Sequence, residues 1–323
     1  MKAVVQDTYG PPNVMELREV GKPVVKDDGV LLRVRAAAVN PPDWAGLRGV
    51  PYIARPHFGL RRPRNPVRGS DVAGTVDAVG RNVTRLAVGD EVFGVGAGTF
   101  AEYAVAAEKH LAPKPAGLTF GQAAAAPMAG LTALQALRDV GKVQPGQKVM
   151  INGAGGGIGT FAVQIAKAFG ADVTGVCSTS KADLVRSLGA DRVIDYVQED
   201  FTRGDERYDF ILDNVLSHSL TELVRALSPT GMLVPNGGQF WKRWTASTGV
   251  ILIKAPLLSL VVPQQIRHVT LSSEQDALFA LKELLESGKV TPVIGRSYPL
   301  SQTPEAMAYF GEGHARGKVV ITP

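Results

Sequence analysis

The sequence predicts an α/β protein in which a doubly wound parallel sheet domain is inserted into a β-rich one. Three observations carry that expectation. Short β-rich runs separated by Gly, Pro and Asp fill the first third; strands and amphipathic helices alternate from about Thr119; and the closing residues 318–322 form one more β run. That last run belongs with the first third. The predicted boundaries are therefore 1–118 plus 291–323 for the β-rich domain and 119–290 for the nucleotide-binding one. A chain of 323 residues is long enough for two cores.

In the first domain, 30–35, 73–79 and 91–95 read as strands between turn signals. Residues 47–68 read as a loop, because Pro51, Pro56, Pro63 and Pro66 deny hydrogen bonds to helix and ladder alike. The loop carries Arg55, Arg61, Arg62, Arg64 and Arg68, and is either a solvated basic surface or an entrance that steers an anionic substrate. The Ala-rich segment 120–140 reads as helix. Next come a strand at 148–152 and a helix at 157–169, whose Ile158, Ala162, Ile165, Ala166 and Phe169 keep the spacing of one buried stripe. A strand at 172–177, a helix at 181–188 and strands at 192–194, 210–212 and 232–234 continue the alternation. Such βα units imply a parallel sheet covered on both faces.

The composition is 45% hydrophobic and 20% charged, which suits a globular protein and excludes a disordered one. A net charge of +5 helps recruit an anionic cofactor but is too small by itself to argue for nucleic acid. With Cys177 as the single cysteine, neither an intrachain disulfide nor a thiolate zinc cluster is possible. Residues 1–7 turn polar at once, and the apolar stretch 250–262 is interrupted by Lys254 and Pro256, short of the roughly 20 residues that span a bilayer. The expectation is a soluble cytoplasmic protein with no membrane partner.

The strongest chemical signal is the turn Asn152-Gly153-Ala154-Gly155-Gly156-Gly157-Ile158-Gly159, between a predicted strand and a predicted helix. Glycines let backbone approach a pyrophosphate, and the helix N-terminus offers unpaired N–H groups with a partial positive charge. Ala154-x-Gly156-x-x-Gly159 has the dinucleotide spacing with alanine in the first place. NAD enzymes place Asp or Glu at the end of the second strand, about 20 residues on, to bind the ribose hydroxyls. Here that strand runs into Ser178, Thr179, Ser180 and Lys181, with no carboxylate before Asp183. Hydroxyls and a lysine suit a 2′-phosphate, so NADPH is the expected cofactor. Taken alone, Lys181 is also what a solvated helix start would carry.

Taken together, 39–44, 69–74, 89–94, 129–137, the glycine turn, 188–196 and 314–318 carry a resemblance along essentially the whole chain. The chain resembles the medium-chain dehydrogenase/reductase superfamily, in its zinc-free quinone oxidoreductase (zeta-crystallin-like) branch. The resemblance implies a GroES-like substrate domain with a Rossmann domain inserted, and a homodimer. It puts Asn40, Ser70 and Asp71 where zinc-dependent relatives keep cysteine, histidine and glutamate, and Pro42 where they keep a proton-relay hydroxyl. No metal is therefore expected. It implies an acceptor pocket lined by Asn40, Asp43 and Tyr52. For the cofactor it implies Thr132 near the carboxamide, Lys181 and Tyr196 at the 2′-phosphate with Ser178 and Thr179 as neighbours, Asn214 along the dinucleotide, Gly237 and Gly238 at the nicotinamide, and Arg316 and Lys318 nearby. Leu216 departs from the glycine that relatives often carry after Asp-Asn-Val.

The expected activity is hydride transfer from NADPH to a small electrophilic acceptor, a quinone or an activated enone, with the protein positioning the acceptor and excluding water. Asn40 and Tyr52 are candidates for polarising or protonating the acceptor oxygen, and are equally a satisfied structural amide and a packing tyrosine. Two alternatives stand beside this. An enoyl-thioester reductase would give the arginines of 55–68 a role. A cofactor-binding protein with a non-catalytic, RNA-binding role would use the same loop, which lacks interleaved aromatics beyond Tyr52 and Phe58.

Overall fold

The computed structural model describes residues 1–50, 52, 55–237 and 262–323; Gly238 and most of the apolar stretch 250–262 lie outside them. In chain order the strands are β1 (Lys2–Gln6), β2 (Met15–Glu19), β3 (Gly29–Ala38), β4 (Asp71–Val79), β5 (Glu91–Val95), β6 (Tyr103–Ala107), β7 (Leu111–Pro113), β8 (Lys148–Asn152), β9 (Asp172–Cys177), β10 (Arg192–Asp195), β11 (Tyr208–Asp213), β12 (Leu227–Pro235), β13 (Gln265–Ile266), β14 (Ile294–Pro299) and β15 (Lys318–Thr322). The chain forms two compact units, Met1–Leu131 with Ser272–Gly288 and Pro292–Pro323, and Thr132–Leu271 with Lys289–Thr291. This division differs from the expected boundaries at 119–131 and 272–288, which group with the β-rich unit, and at Thr291, which groups with the other. The reason is packing: helix Phe120–Ala125 lies on β3, β4 and β15, and helix Gln275–Glu286 lies on β7.

In the β-rich unit, β3 is the hub, pairing antiparallel with β4, β6 and β15. It alternates buried Val34 and Ala36 with exposed Arg33 and Arg35, as a strand with one face on a core should. Two register shifts against β4 bend it. Its last residue, Ala38, sits opposite Asp71 at the start of β4 and Val320 in β15. The end of β3 and the beginnings of β4 and β15 thus meet at one edge.

Helix Pro41–Arg48 follows β3 directly and ends on Gly49 at φ 63. Prolines at its first two positions lose no hydrogen bond, since those N–H groups have no partner within a helix. The expected loop over 47–68 is therefore wrong at its start, where Leu47 and Arg48 close this helix. It is also wrong at Arg55–Phe58, a single helical turn that tolerates Pro56 because it stands in the first turn. The expected helix over 120–140 is interrupted: Phe120–Ala125, Pro127–Leu134 and a wider turn, Gln135–Val140, with Pro127 at the break.

The other unit holds a six-stranded, wholly parallel sheet in the order β10-β9-β8-β11-β12-β13. Numbered within the unit this is 3-2-1-4-5-6, the doubly wound dinucleotide-binding order, with its switch point between β8 and β11. Met150, Val176, Ile194, Ile211 and Leu233, one from each of five strands, are buried together. The core therefore forms across the sheet and leaves the carboxyl ends of the strands for ligand, where loops at a switch point are placed to bind.

Candidate active site

The glycine turn sits at the carboxyl end of β8, and helix Gly157–Ala168 starts on Gly156, which has no side chain to cap it. A Cβ on Gly159 would lie 2.1 Å from the Gly153 carbonyl oxygen and 2.7 Å from the Ala154 Cα, so only glycine lets the helix pack onto the turn. A Cβ on Gly155 would meet the Lys181 chain at 2.7 Å. The aliphatic stem of Lys181 thus packs across the glycine turn. These observations fit a nicotinamide dinucleotide: a helix N-terminus with no side-chain cap, a cradle that a Cβ would fill, and the stem of a lysine beside it.

Ser178 and Thr179 lie beyond β9, and the Tyr196 N–H donates to the Cys177 carbonyl, bringing that exposed ring to the same strand ends. One residue here escaped sequence reasoning. Asp195, opposite Cys177 in the β9–β10 register, accepts the Thr179 hydroxyl at 2.5 Å, the Val197 N–H at 3.0 Å and the Gln198 amide at 3.1 Å. The Thr179 hydrogen bond, then that from Val197, holds its carboxyl below the usual range. A carboxylate is therefore present beside the end of the second strand after all, engaged by Thr179 and by its own loop. Its signal was the 3-2-1 strand order, which puts the end of β10 beside the end of β9.

At the switch point Asp213 is fully buried. Its Oδ1 accepts from Asn152 Nδ2 at 2.8 Å and from the Val215 and Leu216 N–H groups at 3.0 Å, while burial pushes its carboxyl upward. Asn214 donates to the Asn152 carbonyl at 3.1 Å and accepts from Asn236 at 2.8 Å. Gly237 follows at φ 125, where a Cβ would lie 2.9 Å from the Asn214 carbonyl oxygen. Asn214 and Gly237 are thus adjacent, and Thr132 is buried on helix Pro127–Leu134. Leu216 holds φ 55, the left-handed conformation that glycine adopts freely. We expect Leu216→Val to destabilise the protein by about 1–2 kcal/mol, because a branched Cβ tolerates that conformation least. Leu216→Gly should be nearly neutral, released strain being offset by lost burial and added chain entropy; denaturant titration of both variants checks this.

Two of the residues expected to line the acceptor pocket, Asn40 and Asp43, lie in the β-rich unit, where β3, β4 and β15 meet. Asn40, Asp43, Asp71 and Lys318 are all buried. Asp43 Oδ2 accepts the Asn40 N–H at 2.9 Å, and Ser70 donates to Asp43 Oδ1 at 3.1 Å. Asp71 Oδ1 accepts the Met128 N–H at 3.0 Å. The Lys318 ammonium donates to Asn40 Oδ1, to the Val39 carbonyl at 3.2 Å and to Asp71 Oδ2 at 3.4 Å. Burial pushes Asp43 up to about 7 and raises Asp71, against the pull of Lys318. Lys318, expected at the cofactor, is committed to this cluster.

Zinc does not fit these donors. An amide and a hydroxyl stand in for thiolate and imidazole, and the one carboxylate, Asp71, already faces the Lys318 ammonium. No group of three His, Cys, Asp or Glu side chains among the described residues could hold a metal ion. Tyr52 is 63% exposed, with the Arg55 guanidinium over its ring at 4.5 Å; Arg55 also lies 5.0 Å from the Tyr9 ring and donates to the Gly49 carbonyl. Arg61, Arg62, Arg64 and Arg316 are exposed.

Residues 26–116 match the alcohol dehydrogenase GroES-like domain, and residues 188–321 match the zinc-binding dehydrogenase domain. The chain is 35% identical to the 2-methylene-furan-3-one reductase of Solanum lycopersicum, over 100% of its own length and 79% of that protein's. It belongs to the medium-chain dehydrogenase/reductase superfamily, in the quinone oxidoreductase branch. The NADPH-dependent alkenal/one oxidoreductase, chloroplastic, of Arabidopsis thaliana is 34% identical, covering 100% of this chain and 80% of that one. The structure of the quinone oxidoreductase from Coxiella burnetii superposes with a TM-score of 0.87 at 29% identity, over 100% and 99% of the two chains. The β-rich unit is thus GroES-like, the inserted sheet is a Rossmann domain, and the protein is an oxidoreductase of this branch that uses a nicotinamide cofactor. Among the described residues no helix is long and apolar enough to cross a membrane.

Proposed function

We propose that the protein is an NADPH-dependent, zinc-independent reductase that delivers hydride to a quinone or an activated enone. The observation that carries this reading is the Asn40–Lys318–Asp71 cluster, in which an ammonium is held against Asn40 and Asp71, two residues that the resemblance puts where zinc relatives keep ligands. Reduced nicotinamide supplies the hydride; a quinone or activated enone needs little further activation, whereas a simple ketone needs a Lewis acid or a positioned proton donor. The amides of Gly157, Ile158 and Gly159 hold the pyrophosphate. Ala154 to Gly156 line its approach, with Asn214, Gly237 and Thr132 along the nicotinamide half. Asn40, Asp43 and Tyr52 border the acceptor and exclude water from it. We read Arg316 as an outlying cofactor contact, the assembly as a homodimer and the setting as cytoplasmic, although the Arabidopsis relative is named chloroplastic.

Steady-state NADPH oxidation against quinones, alkenones, an enoyl thioester and simple ketones tests the activity. Turnover of the first two and not of ketones is expected; inactivity on both would overturn the reading, and preference for the thioester would favour an acyl-chain reductase served by exposed Arg61, Arg62 and Arg64. For the cofactor, Lys181, Ser178 and Tyr196 receive the 2′-phosphate, and the Thr179 hydroxyl goes on donating to Asp195. Lys181→Ala should weaken NADPH by about 10–100-fold, the worth of one charge-assisted hydrogen bond, and leave NADH unchanged. Dissociation constants from cofactor fluorescence for both dinucleotides decide it; equal losses would show that Lys181 does not read the phosphate.

A further inference from the structure

We propose that Asp213 is a positioning residue for the dinucleotide: one of its carboxylate oxygens ties the glycine turn after β8 to the turn after β11, so that the walls of the switch-point crevice are set before the cofactor arrives. The inference rests on the reading that a nicotinamide dinucleotide lies across these strand ends. Asp213 is the last residue of β11 and is fully buried, so it acts through its neighbours and not by touching the cofactor. Three donors converge on its Oδ1. The Asn152 amide reaches it from the end of β8, and the Val215 and Leu216 N–H groups reach it from the turn that follows. The last two bonds are local, and they hold Leu216 at φ 55, a conformation that disfavours leucine. The bond from Asn152 crosses from one strand end to the next.

Further contacts converge on the same turn. The Asn214 N–H and side-chain amide both donate to the Asn152 carbonyl, at 3.2 and 3.1 Å. A Cβ on Gly153 would lie 2.9 Å from Val215 Cγ2, so the glycine turn and the turn after β11 are already packed together. From the other side the Asn236 N–H donates to the Asp213 carbonyl at 2.8 Å, and the Asn236 amide to Asn214 Oδ1 at 2.8 Å. The ends of β8, β11 and β12 are thus latched through residues 213 and 214. The other carboxylate oxygen, Oδ2, is buried and has no hydrogen-bond partner among the described residues. The position therefore demands one acceptor oxygen and not an ion pair, and asparagine supplies that oxygen where alanine does not. Without it three donors lose their partner, and residues 214–216 must be ordered when the dinucleotide binds.

The test is a double-mutant cycle over Asp213 and Asn152 in the full chain, with Asp213→Asn as the conservative variant. Dissociation constants and binding stoichiometry for NADPH and NADH are titrated by cofactor fluorescence, well below the melting temperature of each variant. Asp213→Ala should weaken NADPH and NADH by the same factor, about 10–100-fold, the cost of ordering a short turn on binding. Asp213→Asn should restore native affinity. Asn152→Ala cuts only the bond between the two strand ends and should weaken both dinucleotides by about 5-fold, the worth of one hydrogen bond. Added to Asp213→Ala, it should cost nothing more. A merely structural loss would lower the number of binding sites and leave the dissociation constants where they are; that result would overturn the proposal, as would additive losses in the cycle. A loss confined to NADPH would overturn it too, because it would place the effect at the 2′-phosphate. If Asp213→Ala does not fold, Asn152→Ala decides alone. If the native chain binds neither dinucleotide, the reading of the site falls and the inference with it; if it binds both and the alanine variants bind them as well, only the inference falls.

Discussion

Gly159→Val should abolish useful dinucleotide binding, with a loss of at least about 10²-fold in affinity, and should lower the stability of the Rossmann unit by about 3 kcal/mol or more. Both effects follow from where the new atoms would go. The Cβ alone would lie 2.1 Å from the Gly153 carbonyl oxygen and 2.7 and 2.8 Å from the Ala154 Cα and carbonyl carbon. All three are backbone atoms of the glycine turn, so no side chain can swing away to make room. Either the helix Gly157–Ala168 retreats from β8, or the turn is pushed toward the ligand. In both cases the bare N–H groups no longer converge where the pyrophosphate sits. Gly146→Ala is the control: that residue has no neighbour within 4 Å of a new Cβ, so only the strain of its φ of 80 is felt and dinucleotide binding should persist. Thermal denaturation together with NADPH fluorescence distinguishes the variants; normal NADPH binding by Gly159→Val would refute the packing argument.

The same turn shows how much of the site was legible in the sequence. The spacing of Ala154, Gly156 and Gly159 works because strand, turn and helix are consecutive, and local chemistry is written locally. The strands at 148–152 and 172–177 were legible for the same reason, each being an apolar run closed by glycine or polar residues. What could not be read was any contact made across the sheet or across the chain. Lys318 meets Asn40 at a separation of 278 residues, and only the closure of β15 against β3 brings the two together. Resemblance alone placed Lys318 near the cofactor, where its charge had an obvious use, but a buried ammonium answers first to the buried carboxylate beside it. Asp195 was hidden by the order of the strands. Thr179 was offered to the phosphate because nothing in the linear sequence showed that its proton already had an owner. Proline counting misled at 47–68, since prolines exclude helix interiors and not first turns.

The pH dependence of stability should expose Asp43 directly. Its folded-state carboxyl is pushed up to about 7 from 3.8, chiefly by burial and further by the neighbouring Asp71; the Asn40 N–H, the Ser70 hydroxyl and the Lys318 ammonium pull it down without cancelling the rise. Arg68 is the other charged group that feels it. A carboxyl that holds its proton more tightly folded than unfolded adds stability at low pH, and loses that contribution as the pH climbs from about 4 to about 7. Asp43→Asn is neutral throughout. Its oxygen can still accept the Asn40 N–H, and its amide can still meet Ser70. The native chain should therefore lose up to about 4 kcal/mol relative to this variant between pH 4 and 7, with a flat difference above. Asp71 and Lys318 are common to both proteins and largely drop out of the comparison. Chemical denaturation of the pair at pH 5 and pH 8 measures it: the variant should gain at pH 8 and much less at pH 5. Parallel stability curves would mean that water, or a closer cation, reaches Asp43 in solution and that the carboxylate is tolerated there at no cost.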